Sequence, residues 1–476
     1  MTALRRALVF LLRTPRYSPR VAWMLLALAG CAAYPEKPLD PAATRASLEA
    51  RRLDDAGLAA LIARSGAVAG EAWDFPQLVL AALYYNPEIE VARAQLRVSE
   101  AGIVAAGKRP NPDLDAAAGR ASNPPNGEPA GLADIQLAFP FETADKRRHR
   151  MAQAEQLAES ARLAIAATAW KVRGQVRDAM LDADAAAAES GILDDQVRVQ
   201  ESISAMLSRR VELGAASSLE QGQAGAALAQ ARLDAAAARA RAAQARSRLA
   251  AAIGVPGQAL EGVAISFGAL EPPEPQLDQP ALARAALSVR SDLRVALAQH
   301  AAADAALRLE IAKQYPDVQL APAYSYDTGT NKFTFGVVRL ALPLFDRNEG
   351  PIAEAEARRD EAAARFESLQ ASVLAQVEQA LQAVTAAHAE REQASALEQR
   401  ARAHWTSTER RFQAEADDRL ALASAHSALD AARIALARAR HDAQRSIARL
   451  EDATQQPFFD PVSPAFAGRT PAGAKP

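Results

Sequence analysis

Six histidines, one cysteine and a few adjacent carboxylates are the side chains in this sequence that could hold a metal or move a proton. His149, His300, His388, His404, His426 and His441 are scattered along the chain without the spacing that brings ligands to one ion. Beyond Met151, Met180 and Met206 are the only interior methionines, too few for a thioether ladder that would select copper or silver. Asp54/Asp55 and Asp194/Asp195 read as solvated helix or turn charges. No nucleophile beside a base and no phosphate-cradling glycine loop is present in the sequence. These absences predict a protein that is not an enzyme and has neither cofactor nor metal site. What remains is one thiol, and charges whose work would be electrostatic.

The thiol is Cys31. Arg5, Arg6, Arg13, Arg16 and Arg20 precede it, followed by the apolar run VAWMLLALAG (Val21–Gly30). A basic leader, a short apolar core and small residues at its end describe a secretory signal over residues 1–30, too short for a transmembrane helix. The junction LAGC (Leu28–Cys31) resembles the lipobox of bacterial lipoproteins, which implies that Cys31 becomes the acylated first residue of the mature chain. Each buried methylene contributes about 0.8 kcal/mol, so several acyl chains, palmitate among them, make a durable anchor. No later window is long and apolar enough to cross a bilayer as a helix.

The elements around these residues follow from composition and repetition. Lys+Arg 55 against Asp+Glu 57 leaves a net charge of −2, which gives no footprint for a nucleic-acid partner. Hydrophobic residues make up 50% of the chain but aromatics only 5%, because alanine supplies much of the apolar count. Such a chain favours close helix–helix contact over a thick core. It is also written twice. NPEIEVARAQ (Asn86–Gln95) aligns with RSDLRVALAQ (Arg290–Gln299), NPDL (Asn111–Leu114) with YPDV (Tyr315–Val318), and LAFPF (Leu137–Phe141) with LALPL (Leu340–Leu344). GAASSLEQGQAGAALAQARL (Gly214–Leu233) then aligns with EADDRLALASAHSALDAARI (Glu415–Ile434).

The expected organisation is a signal peptide (residues 1–30), a lipidated extension (31–75) and repeat 1 (76–254), then an irregular connection (255–280), repeat 2 (281–454) and a disordered tail (455–476). Each repeat reads as a helix (about 76–108 and 281–313), a β-hairpin (about 112–141 and 316–345) and a long helical hairpin (about 143–254 and 350–454). A continuous helix over the first arm of the second hairpin would reach roughly 100 Å. Gly214 suits the helix C-cap at the first reversal, where φ must be positive; Glu415 stands at that place in the second copy.

In the second hairpin Val318, Leu320, Pro322, Tyr324 and Tyr326 share one strand face, opposite Gln319, Ala321, Ala323 and Ser325. That is the apolar-out, small-or-polar-in alternation of a transmembrane barrel strand. Ile135, Leu137, Phe139 and Phe141 repeat it, Asp113–Arg120 forms a weaker strand, and Val337–Val338 breaks phase as a bulge would. Four strands cannot close a barrel, and lipid tolerates no open edge, so other copies must complete it.

These stretches, together with the lipobox, ALYYNPEIEVARAQLRVSEAGIVAAGKRPNPDL (Ala82–Leu114), FPFETADKRRHRMAQAE (Phe139–Glu155) and LPLFDRNEGPIAEAEARRDEA (Leu342–Ala362), resemble the TolC-type outer-membrane factor family. The likeness is to its lipoprotein members serving heavy-metal (cobalt-zinc-cadmium type) RND exporters. It implies a duplicated, mainly α fold with a small transmembrane β part: four strands per chain in a shared trimeric β-barrel, continued by a long periplasmic α-helical barrel. It also implies lipid-anchored residence in the outer membrane. The implied partners are two sister copies, a periplasmic adaptor (membrane fusion) protein, an inner-membrane RND pump and outer-membrane lipid.

By that resemblance Pro140, Pro343, Phe345 and Gly350 form the barrel-to-helix joint, the two prolines ending the ladders and Asn348–Gly350 starting the helix. Glu220, Asp417, Asp418 and Arg419 are candidates for the periplasmic gate, and Gly214, Ser217, Leu219 and Leu420 for adaptor contact at the tips. The positions matching the family's usual gate acids in the second copy hold Ala421 and Ser424, a departure from the pattern. The implied work is passive conduction of heavy-metal cations. The alternatives are a conduit for drugs or type I protein secretion, and a periplasmic coiled-coil lipoprotein scaffold.

Overall fold

The computed structural model describes residues 34–65, 72–124, 129–270, 278–414 and 419–459. The chain divides into two units, one up to Ala50 and one from Arg51 onward. In the first, α1 (Pro41–Glu49) starts on Asp40, whose carboxylate accepts from the amides of Ala42 and Ala43.

The second unit opens with α2 (Ala56–Ser65) and then builds the same succession twice. The first passage runs α3 (Phe75–Tyr85), α4 (Pro87–Ala106), β1 (Asp113–Arg120), β2 (Gly131–Phe141), α5 (Lys146–Glu212) and α6 (Ser218–Ile253). The second runs α7 (Gln279–Val289), α8 (Ser291–Ala312), β3 (Val318–Asp327), β4 (Thr330–Leu340), α9 (Glu349–Gln413) and α10 (Arg419–Thr454). The strands form one antiparallel sheet in the order β1-β2-β3-β4.

Each helix expected ahead of a hairpin is in fact two. The break in the first copy falls at Asn86, which caps α4 through the Glu88 amide and precedes Pro87, a residue with no amide to continue α3. The second copy has no proline here. Arg290 instead leaves the helical region (φ −56°, ψ 125°), and its guanidinium binds Asp292, Gln376 and the Ala453 carbonyl.

One apolar core gathers both repeats, with Phe75, Leu78, Val172, Val176 and Met180 meeting Val373, Val377, Ile447 and Leu450. Along the long hairpins the packing is thinner and built on alanine: Ala231, Ala235, Ala238 and Ala245 of α6 are buried, and α6 packs on α5. Gly254 ends α6 at φ +89°, where a Cβ would come within 3.0 Å of the Tyr85 carbonyl oxygen, so both space and backbone require glycine.

The tail departs from its expectation at its start. Phe459 is buried, Phe458 packs on the core, and both amides donate to Glu451 Oε2, at 2.6 Å from Phe458 and 3.1 Å from Phe459. Two adjacent aromatics beside a buried carboxylate hold the segment down, where composition alone suggested disorder. Residues 460–476 and Cys31 lie outside the described residues.

Candidate functional site

The sheet sorts its side chains into two chemistries, and the polar residues on its apolar face, Arg120 and Asn331, lie at the hairpin ends. In an antiparallel ladder, residues directly opposite share a face. Leu114, Leu137, Ile135 and Tyr324 follow one another across that register, as do Phe141, Val318 and Leu340. Phe333 and Phe335 join this apolar face and are 81% and 75% exposed. The other face carries Asp113 and Asp115 of β1, Asp134 and Gln136 of β2, Gln319 and Ser325 of β3, and Lys332, Thr334 and Arg339 of β4. Leu132, beside the hairpin turn, is the one large apolar residue on the polar side.

The phase break at Val337–Val338 is a bulge. Gln319 faces Arg339 while Leu320 faces Val337, which leaves Val338 as the extra residue. Had Val338 taken a regular place in the ladder, Arg339 would point to the apolar face and Leu340 to the polar one. Pro322 is accommodated by a gap: β2 pairs with β3 at Gln136↔Ala323 and again at Phe139↔Leu320, and the two positions between them are skipped. Among the described residues both outer strands, β1 and β4, keep an unpaired edge.

The joints between strand and long helix are ionic. In the first copy Ala144 and Asp145 take left-handed backbone (φ 52° and 56°) before α5 begins. The buried Lys146 then donates to the Tyr315 carbonyl at 2.5 Å and to Asp317 Oδ1 at 2.6 Å, tying α5 to the start of β3. Arg147 donates to Gly107 O at 2.7 Å and Arg150 to Ala106 O at 3.0 Å. These carbonyls end α4, where acceptors lack partners and the helix dipole is negative. Arg150 also holds Glu142 at 2.6 Å, and the Glu142 carboxylate raises the guanidinium above its ordinary value.

In the second copy Asn348 takes the left-handed turn at φ 64° and donates to Glu310 O at 2.8 Å and Glu310 Oε2 at 3.0 Å. Burial pushes the Glu310 carboxyl up, but Lys313 and Asn348 together hold it below its usual value.

The predicted joint residues are placed differently from expectation. Pro140 does not end a ladder: it pairs with Gln319, and Phe141 still pairs beyond it. β1 stops at Asp113 opposite Ala138, so no neighbour on that side meets the missing donor. Pro343 lies past the end of β4 at Leu340. Gly350 is inside α9, and the positive φ belongs to Asn348, a residue type that tolerates it. Phe345 is fully exposed, with Leu342 and Leu344 beside it also exposed.

At the first helix reversal, Gly214 (φ +72°) closes α5. Its amide donates to Val211 O at 2.9 Å, and Ala215 N donates to Arg210 O at 2.7 Å. Ser217 then caps α6 in a reciprocal box: Glu220 N donates to Ser217 Oγ at 3.2 Å, and Ser217 N donates to Glu220 Oε2 at 2.7 Å. The Ser217 amide and hydroxyl hold the Glu220 carboxyl below its usual range, so this gate candidate is engaged as a cap. Leu219 is 69% exposed. Its counterpart Leu420 instead packs on Ile203, Leu207 and Ala224, so it is brought to the first tip and half-covered there. Asp417 and Asp418 lie outside the described residues, and Arg419 opens α10.

Sequence reasoning missed a buried ionic cluster. Arg173 and Arg177 of α5 have almost no exposed surface, as does Glu451 of α10, which accepts from both. Arg177 also meets Asp452 at 2.7 Å, and Phe75 and Trp170 flank the Arg173 guanidinium. A signal existed, since the two arginines sit one turn apart inside the Val172–Val176–Met180 stripe. Among the histidines, His426 meets the buried Asp430 at 3.0 Å and His441 meets Asp182 at 3.4 Å. Among the described residues no three His, Cys, Asp or Glu side chains are placed to hold a metal ion, and no helix is long and apolar enough to cross a membrane.

Residues 78–255 and 282–455 both match the sequence model of a family described as "Outer membrane efflux protein". The chain is 27% identical over 279 residues to the cobalt-zinc-cadmium resistance protein CzcC of Cupriavidus metallidurans, a match covering 58% of this chain and 64% of that relative's length. It is 26% identical over 406 residues to outer membrane protein OprJ of Pseudomonas aeruginosa, covering 78% and 81% of the two chains. The crystal structure of the outer membrane protein VceC from Vibrio cholerae superposes with a TM-score of 0.65 at 20% identity, covering 81% of this chain and 96% of the other. That likeness is one of fold.

Proposed function

The chain belongs to the outer membrane efflux protein family, and from that premise we propose that it is the outer-membrane conduit of a tripartite exporter, passing its cargo passively. Three copies share one barrel, an acylated Cys31 holds each to the membrane, a periplasmic adaptor engages the helix tips, and an inner-membrane RND pump supplies the drive. The observation that carries this reading is the sheet. It has one apolar face and one polar face, its two edges are unpaired among the described residues, and it runs directly into two long helical hairpins. Such a sheet suits a wall with lipid outside and water inside, provided that sister sheets satisfy its edges.

The proposed cargo is heavy-metal cations. The likeness to CzcC supports it, as does a polar face with Asp113, Asp115 and Asp134 against Lys332 and Arg339. The gate is assigned to Glu220, Asp417, Asp418 and Arg419, and adaptor contact to Gly214, Ser217, Leu219 and Leu420. Deletion of the gene should sensitise cells to zinc, cobalt and cadmium and raise retained metal, with complementation restoring both. Unchanged metal tolerance with altered tolerance to organic compounds would overturn the cargo, and fractionation away from the outer membrane would overturn the conduit.

A further inference from the structure

Close to the second helix reversal, α5, α9 and α10 enclose a cavity of about 500 Å³. Trp405, Glu409 and Phe412 of α9 line it, with Leu422 and His426 of α10 and Asp195 of α5. Aromatic residues are scarce in this part of the chain. Between positions 350 and 454 the sequence holds Phe366, Trp405 and Phe412 as its Phe, Tyr or Trp residues. Two of these three meet at one cavity.

The first copy shows what the same place looks like without this chemistry. At the displacement that aligns Gly214 with Glu415, Trp405 corresponds to Ser204, Glu409 to Ser208, Phe412 to Val211 and His426 to Gly225. Gln221 there donates to Ser208 Oγ at 3.1 Å and ties α6 to α5. Leu422 and Glu409 stand at the corresponding positions of α10 and α9, and leucine has no donor for such a bond. A reversal of this kind therefore folds with small or uncharged side chains and a neutral hydrogen bond. Two aromatic rings, an imidazole and a carboxylate exceed what its folding requires.

The polar groups are arranged to receive a cation. His426 Nδ1 lies 3.0 Å from Asp430 Oδ2, and Asp430 has no exposed surface. A neutral imidazole donates its Nδ1–H to that carboxylate and keeps the Nε2 lone pair as an acceptor. Asp430 also holds Arg433 at 3.3 Å, and Asp195 holds Arg198 of the cavity wall. Among the described residues Glu409 has no ionic partner. Asp195, Glu409 and Asp430 against Arg198 and Arg433 thus leave one negative charge. The Trp405 and His426 rings meet edge to face, 5.8 Å apart and at 84°, and form a corner for a flat ligand. We propose that this cavity binds a planar aromatic cation carrying N–H donors, with Trp405 and Phe412 as stacking walls, Glu409 as counterion and His426 Nε2 as the acceptor that orients it. The volume lies within the roughly 300–1,000 Å³ of sites for drug-sized ligands, and cation–π attraction adds to the carboxylate's. A metal ion fits less well, because among the described residues no third ligand joins His426 and Glu409. The site is complete within one chain, so it stands or falls apart from the conduit reading.

Proflavine, a flat fluorescent cation with amino N–H groups, is the probe, titrated with the full chain in a nonionic detergent and read by fluorescence polarisation against detergent alone. Binding should saturate at one dye per chain. Trp405→Ser and Glu409→Ser install the residues that the first copy carries, and each should raise Kd about tenfold or more. Glu361→Gln, in an exposed pair elsewhere on α9, should leave Kd unchanged. Should Trp405→Ser lose helical circular dichroism, Glu409→Gln, which removes charge alone, decides. Dye that polarises no more than in detergent alone, or binds the Trp405 and Glu409 variants as tightly as the parent, overturns the site. Affinity lost equally in Glu361→Gln marks diffuse charge attraction and overturns it too. Displacement of the dye by stoichiometric zinc would assign the cavity to a metal and overturn the organic ligand.

Discussion

A guanidinium with no exposed surface is tolerable only if carboxylates and ring faces replace its water, and Arg177 has both: Glu451 at 2.8 Å, Asp452 at 2.7 Å and the Phe459 ring. Burial pushes this guanidinium down, yet Asp452 and Glu451 raise it overall. Burial likewise pushes the Glu451 carboxyl up, and Arg173 and Arg177 more than reverse the effect. A carboxyl held below its unfolded value contributes stability that is complete above about pH 4.3 and is lost as pH falls through the folded value. Glu451→Gln removes the buried carboxylate that Arg173 and Arg177 share, and Arg177 keeps Asp452 and Asp178, so it should cost up to about 3–5 kcal/mol near neutral pH. The difference from the parent should shrink as the medium is acidified below that range. Urea unfolding followed by circular dichroism reads both effects, with Glu361→Gln in the exposed Glu361–Arg365 pair as a control that leaves the midpoint in place. An equal loss at all pH values would mean that shape, rather than charge, is what Glu451 supplies.

Among the elements, the bulge in β4 converts a frame error in the sequence into a sorted wall. Deleting Val338 should remove the bulge and keep Arg339 opposite Gln319 on the polar face, whereas Leu340→Arg puts a guanidinium on the apolar face opposite Val318. An arginine moved to a lipid-facing position costs up to about 2–4 kcal/mol, less near the interface. Leu340→Arg should therefore reduce heat-resistant assembled protein in outer-membrane fractions, and the Val338 deletion should spare it. This bulge was legible because a strand that loses its two-residue period at Val337–Val338 and then resumes it must carry one extra residue. The hairpins and long helices were legible for a related reason, since regular periods and long runs without breakers leave little room for another backbone. The break at Arg290 was not. It has no proline, and what holds it is a guanidinium binding Gln376 and Ala453, residues far along the chain. Nor were Lys146 and Asp317 legible as a joint, because a charge pattern does not say which charges meet. Glu220 was singled out as a gate acid, whereas its spacing from Ser217 already spelled a capping box.

At the scale of the whole molecule, duplication gives each chain two hairpins whose polar faces lie on one side of a single sheet. That side carries Asp113, Asp115 and Asp134 against Lys332 and Arg339, with uncharged Gln136, Gln319, Ser325 and Thr334 between them. If sister sheets close this face around water, every copy adds the same acidic excess to one lumen, and the potential there favours cations over anions. In a planar bilayer under a potassium chloride gradient, the zero-current potential should then be positive on the dilute side. Replacing Asp113, Asp115 and Asp134 by Asn should move it toward zero, and replacing Lys332 and Arg339 by Gln should move it the other way. High salt on both sides should flatten both differences by screening exposed charges. The helix tips also carry acids, so an unchanged potential in both sets would place the selecting charges at the tips and leave the strands as a neutral passage. Opposite shifts from the two sets require that the water path runs along the polar face of the sheet.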